Sequence, residues 1–111
     1  MEAASEPLLV PDSVFGEVAY FLGRYLSPFI EARAFTSLTQ EPLSVVHLRT
    51  DDILRACELV RQYADNPIGF VDASIVALAE RLRINQVLTL DVRHFAAIRP
   101  RHVPALTLLP G

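Results

Sequence analysis

Short apolar runs rich in β-branched residues alternate along this chain with stretches whose apolar residues recur at helical spacing, and this alternation limits the fold more than any other feature. Leu8-Leu9-Val10 is an apolar run stopped by Pro11, as expected of a strand. Val14, Val18, Leu22 and Tyr25 then recur three and four residues apart, with Phe15, Ala19 and Phe21 widening the stripe. Asp12 or Ser13 suits the cap of that helix, and Ser27-Pro28 ends it. Ile30, Ala34 and Leu38 mark another helix. Ser44 to Leu48 is a second strand, followed by a helix capped by Thr50 with a stripe of Ile53, Cys57, Val60 and Ala64. Asp51 and Asp52 suit the positive end of that helix. Asp72 to Arg83 is an alanine-rich helix, and Val87 to Leu90 and Leu106 to Leu109 are further strands. Strands that alternate with helices predict an α/β fold around a mainly parallel sheet.

The chain has 111 residues, enough for one domain and too few for two. A 51% hydrophobic content with 21% charged residues is too apolar for a disordered segment. No run approaches a membrane span, and no basic start precedes an apolar core. A single cysteine, Cys57, rules out an internal disulfide. Together these features predict a cytoplasmic protein with no membrane partner.

All ten basic residues are arginine. Residues 1–91 hold seven arginines and thirteen acids, a net of −6, while residues 92–111 hold three arginines and no acid, a net of +3. An acidic body does not suit broad binding to a polyanion. Carboxylates can still engage nucleic acid by holding cations that bridge to phosphate.

Three acids stand out by placement. Asp91 follows an apolar strand, at the carboxyl edge where parallel sheets bind ligands. Asp72 opens a helix between apolar neighbours, where an acid must pair, bind metal or face a cleft. Glu17 lies on an otherwise apolar stretch of the first helix. Each also has a plain structural reading: Asp72 as a cap, Asp91 as a turn residue, Glu17 as a solvated helix residue. If the three converge, their mutual repulsion calls for a hard divalent ion such as Mg²⁺ or Mn²⁺. Ser74 could add a hydroxyl near such an ion, though a serine there is more often structural. The histidines, His47, His94 and His102, share no metal-ligand spacing with each other or with Cys57. No phosphate-binding glycine loop or nucleophile elbow occurs. The aromatic residues fall mostly at helical spacing and read as core.

The segment Tyr63-Ala64-Asp65-Asn66-Pro67-Ile68-Gly69-Phe70-Val71-Asp72-Ala73-Ser74 resembles the signature of VapC-type PIN domains ahead of their third acid. Val87 to Phe95 is similar to the segment carrying the fourth acid, and Pro11 to Leu22, centred on Glu17, resembles the helix carrying the second. The tail Ile98-Arg99-Pro100, closing on Leu108-Leu109-Pro110, also matches. This resemblance implies a three-layer α/β/α PIN fold spanning residues 1–111 as one domain. It implies a Mg²⁺- or Mn²⁺-dependent endoribonuclease toxin that cuts RNA and is neutralised by an antitoxin protein. Asp72, Asp91 and Glu17 would be its catalytic and metal-binding residues. Dimerisation stays open.

The family opens with a strand carrying a first acid, and nothing before Leu8 matches it. Glu2 and Glu6 are poor substitutes, since neither follows a strand. The expectation is therefore an incomplete PIN domain, from a late start site or a truncation, and of marginal stability as a lone chain. The rival expectation is a catalytically inactive remnant acting only through protein–protein binding. A nucleotide-binding domain without metal chemistry is a further rival, weakened by the missing glycine loop.

Overall fold

The computed structural model describes residues 8–88 and 92–109. The element order is β1 (Leu8–Pro11), a 3-10 turn (Asp12–Val14), α1 (Phe15–Tyr25), α2 (Pro28–Leu38), β2 (Leu43–Val46), α3 (Thr50–Gln62), α4 (Phe70–Leu82), β3 (Gln86–Leu88), α5 (Val92–Ala97) and β4 (Thr107–Leu109). Among the described residues a strand or helix stands at each expected place, while Thr89 and Leu90 of the expected Val87–Leu90 strand lie outside them. The short α5 is an addition that no periodicity announced. The chain divides into two compact units, Met1–His47 and Leu48–Gly111.

In the first unit, β1 pairs in parallel with β2, with Leu8 opposite Leu43 and Pro11 opposite Val46. Parallel pairing needs a crossover, which α1 and α2 supply. Ser27-Pro28 does two jobs there. Proline cannot continue α1, yet it suits the first helical position of α2, where the Ser27 side chain accepts the Ile30 amide at 3.2 Å. Neither Asp12 nor Ser13 caps α1; its N-cap is Val14, without a side-chain bond. The Asp12 carboxylate instead meets His47 Nδ1 at 3.0 Å. Phe15 and Phe35 pack edge to face with centroids 5.2 Å apart, joining α1 to α2. The aromatic stripe is largely not core: Tyr20, Phe21, Tyr25 and Phe29 are all exposed, Phe29 at 86%.

In the second unit, β3 pairs in parallel with β4, with Gln86 opposite Thr107. The core lies here: Ala56, Leu59, Ala73, Val76, Phe95, Ile98 and Leu106 form one buried cluster. Small residues on α4 face it, so α3 can pack closely. The buried stripe of α3 is Asp52, Ala56 and Leu59, which corrects the expected Ile53–Cys57–Val60–Ala64 register. The physical reason is electrostatic. Asp52 turns inward to meet Arg81, and Ile53 is left 41% exposed.

The segment after α5 is fastened by side chains. The Tyr63 hydroxyl accepts the Arg99 amide at 2.8 Å, Glu80 Oε2 accepts the Arg101 amide at 2.9 Å, and His102 Nε2 donates to the Ile84 carbonyl at 2.6 Å. Among the described residues, no helix is long and apolar enough to cross a membrane.

Candidate functional site

Gly69 is the N-cap of α4 and offers no side chain to its first turn. Asp72 stands three positions on, in that turn, where a carboxylate is favoured by the unpaired amides and the helix dipole. It is half-buried, between the half-buried Val71 and the buried Ala73. Asp72 is therefore not an N-cap, and it has interactions of its own. Ser74 is fully buried and donates its hydroxyl to the Val71 carbonyl at 2.6 Å, a helix-internal role.

Glu17 lies in the first turn of α1, exposed, in the first unit. Asp91 falls outside the described residues, as do Glu2 and Glu6. Among the described residues, no group of three or more His, Cys, Asp or Glu could hold a metal ion. His47 Nδ1 meets Asp12, and His102 Nε2 donates to the Ile84 carbonyl.

A second polar assembly, which sequence reasoning missed, joins α3 to α4. Arg55 Nε and Nη2 donate to the two Glu80 oxygens at 2.8 and 3.0 Å, and Arg55 Nη1 reaches Glu58 at 3.1 Å. Arg81 Nε meets both Asp52 oxygens at 2.9 and 3.1 Å, while Asp52 Oδ2 also accepts the Arg49 amide at 2.9 Å. Burial pushes the Glu80 and Asp52 carboxyls up. Their hydrogen bonds and opposing charges outweigh it, so both end below the usual carboxylate range. Arg55 and Arg81 are held above the ordinary guanidinium value, chiefly by those same hydrogen bonds. One signal could have exposed the assembly: Glu80-Arg81 sets two opposite charges side by side at the end of a helix that is apolar or small from Ala73 to Ala79.

The model of the PIN domain matches residues 1–99. This chain belongs to the PIN-domain family. The PIN chain is 30% identical to Ribonuclease VapC26 of Mycobacterium tuberculosis (strain ATCC 25618 / H37Rv) over 110 residues, covering 99% of this chain and 82% of that protein. A toxin-antitoxin complex from Klebsiella pneumoniae contains a similar fold, with a TM-score of 0.66 and 22% identity over 88% of this chain and 74% of that one. DNA-bound VapBC from Salmonella typhimurium gives a TM-score of 0.71 at 19% identity, over 96% of this chain and 77% of that one. At such identities the two structures show the PIN fold alone. With the family match they bear out the expected α/β PIN architecture.

Proposed function

We propose that this chain is an endoribonuclease of the VapC toxin type, dependent on Mg²⁺ or Mn²⁺, that hydrolyses RNA phosphodiester bonds and acts in the cytoplasm. The observation that carries this reading is the likeness to Ribonuclease VapC26 along 99% of the chain. Asp72 adds chemical support, because a half-buried carboxylate in the first turn of a helix is a hard oxygen donor held in place by backbone geometry. The resemblance would add Glu17 and Asp91 as further ligands, and donors that are carboxylates alone would suit a hard divalent ion and not a thiophilic one. A bound ion would supply a water of lowered pKa and a positive charge against a phosphodiester oxygen. The carboxylates would hold and orient it.

Residues 1–111 form one PIN domain in this reading, and the family match over residues 1–99 supports it. The partner is an antitoxin protein, as in the toxin-antitoxin complexes of similar fold. The test is cleavage of RNA by purified protein with Mg²⁺ or Mn²⁺ and an EDTA control. Chelator-sensitive cleavage that Asp72→Asn abolishes is the expected result. Well-folded protein that cuts no RNA with either ion would leave protein binding as its activity.

A further inference from the structure

Asp12 and His47 leave the sheet of the first unit at one edge. Pro11, the last residue of β1, stands opposite Val46, the last residue of β2, and the two strands run parallel. The residues that follow them, Asp12 and His47, therefore meet at the carboxyl edge, where parallel sheets present their ligand-binding groups. α1 sets out from the same edge after the 3-10 turn, with Glu17 exposed in its first turn. All three residues belong to the first unit. We propose, resting on the endoribonuclease reading, that His47 is a further catalytic residue, oriented by Asp12, that gives a proton to the ribose oxygen leaving phosphorus.

The geometry is that of a proton-transfer pair. Asp12 Oδ2 lies 3.0 Å from His47 Nδ1. A carboxylate in that place holds the ring hydrogen on Nδ1 and fixes the imidazole, so Nε2 is the nitrogen that exchanges a proton with a ligand. The His47 side chain is 80% exposed and that of Asp12 32%, so the anchoring end is partly covered while the ring reaches solvent. Stability gives little reason for the pair, because an ion pair this exposed contributes little. Asp12 is also a residue type suited to cap α1, yet no side chain caps that helix and the Asp12 carboxylate turns to His47. A carboxylate on Nδ1 can equally orient an imidazole that binds metal. Among the described residues, however, Asp12 and His47 belong to no group of three donors able to hold an ion. Proton transfer needs no third donor.

Atoms and charge balance in this step. A water oxygen bonds to phosphorus and loses a proton to solvent. The bond between phosphorus and the leaving ribose oxygen breaks, its electron pair stays on that oxygen, and the Nε2 proton of the His47 imidazolium neutralises it. Water then returns a proton to Nε2. An alkoxide is a poor leaving group, which is why a positioned acid speeds its departure by about 10²–10⁴-fold.

The test compares single-turnover cleavage of an oligoribonucleotide with Mg²⁺ by the unaltered chain, His47→Gln and Asp12→Ala. Each is given an ordinary linkage and linkages with sulfur at the 3′- or 5′-bridging position, since a thiolate leaves without a proton. His47 is exposed, so its replacement should leave circular dichroism and melting temperature unchanged. His47→Gln should slow cleavage of the ordinary linkage about 100-fold with RNA affinity unaltered. Asp12→Ala should slow it about 10-fold, because the imidazole stays but is no longer held. With sulfur on the leaving side, both variants should cleave as fast as the unaltered chain. Nitrogen-15 resonances of His47 give a reading that needs neither metal nor RNA: the neutral ring should carry its hydrogen on Nδ1, and Asp12→Ala should abolish that preference. Undiminished cleavage by His47→Gln, an equal defect on oxygen and sulfur linkages, or a neutral ring with its hydrogen on Nε2 overturns the proposal. An unaltered chain that cuts no RNA with Mg²⁺ or Mn²⁺ overturns the endoribonuclease reading and this assignment with it, so the two failures are told apart.

Discussion

Glu80 on α4 receives the Arg55 guanidinium edge-on, Nε at 2.8 Å and Nη2 at 3.0 Å, so that one planar fork ties α4 to α3. The Glu80 and Arg55 side chains are 10% and 14% exposed. Removing Arg55 strands a carboxylate in a place that water barely reaches. Arg55→Ala should destabilise the chain by about 2–3 kcal/mol, somewhat under the range for breaking a fully buried pair. Replacing both partners by apolar residues, Arg55→Met with Glu80→Leu, should recover much of that loss. Urea denaturation of the single and double variants checks both statements.

Asp52 and Glu80 also set a pH dependence. Each folded carboxyl lies below its ordinary value, 3.8 for Asp52 and 4.5 for Glu80. A depressed folded pKa means that the unfolded chain takes up protons first as pH falls. The stabilisation is complete above those ordinary values and drains away as pH drops through the lower folded ones. Thermal melting between neutral pH and pH 3 should show a steep loss below about pH 4.5, starting from the unfolded-state values. In Asp52→Asn and Glu80→Gln that acid loss should be shallower, from a lower starting stability.

Arg83 closes α4 with φ 55° and ψ 45°, the left-handed conformation that favours glycine. Arg83→Gly should raise stability by about 0.5–1 kcal/mol, since glycine adopts the left-handed turn without a side-chain clash. A higher melting temperature checks this. A lower one would mean that the Arg83 side chain stabilises the fold more than its backbone conformation costs.

The Tyr63 hydroxyl holds the Arg99 amide. Tyr63→Phe keeps the ring against the core and removes only that acceptor. Because water can replace it at this exposed amide, the cost should be about 0.5–1 kcal/mol. Faster hydrogen exchange at Arg99, with the exchange of α3 unchanged, would localise the effect.

Asp72→Asn removes a charged donor while keeping its size at the start of α4. Mg²⁺ affinity should fall by more than the roughly 10–100-fold typical of losing an outer partner. The far-ultraviolet circular dichroism should not change. Unaltered Mg²⁺ affinity would remove Asp72 from the site.

Local pattern sufficed for most elements, because strand and helix signals are written within a few residues. Ser27-Pro28 ends α1 and begins α2, and the apolar runs at Leu8 and Val87 became strands. The resemblance around Asp72 likewise led to the right family, since its residues are contiguous. What the pattern could not place was the face that each helix turns inward. On α3, the Ile53 and Asp52 registers differ by one position, and both stripes contain apolar residues. The inward turn of Asp52 depends on Arg81, 29 residues away.

From its amino acids alone, this chain declares an α/β domain of PIN type with Glu17, Asp72 and Asp91 as its notable acids. Tertiary structure alone decided that Asp52 and Glu80 would be enclosed by arginines, that Ser74 would serve its own helix, and that Arg83 would close α4 in a left-handed turn. The physical reason is range. Hydrophobic period and turn chemistry act between neighbours, whereas the partner of a buried charge is chosen by whichever distant segment packs against it.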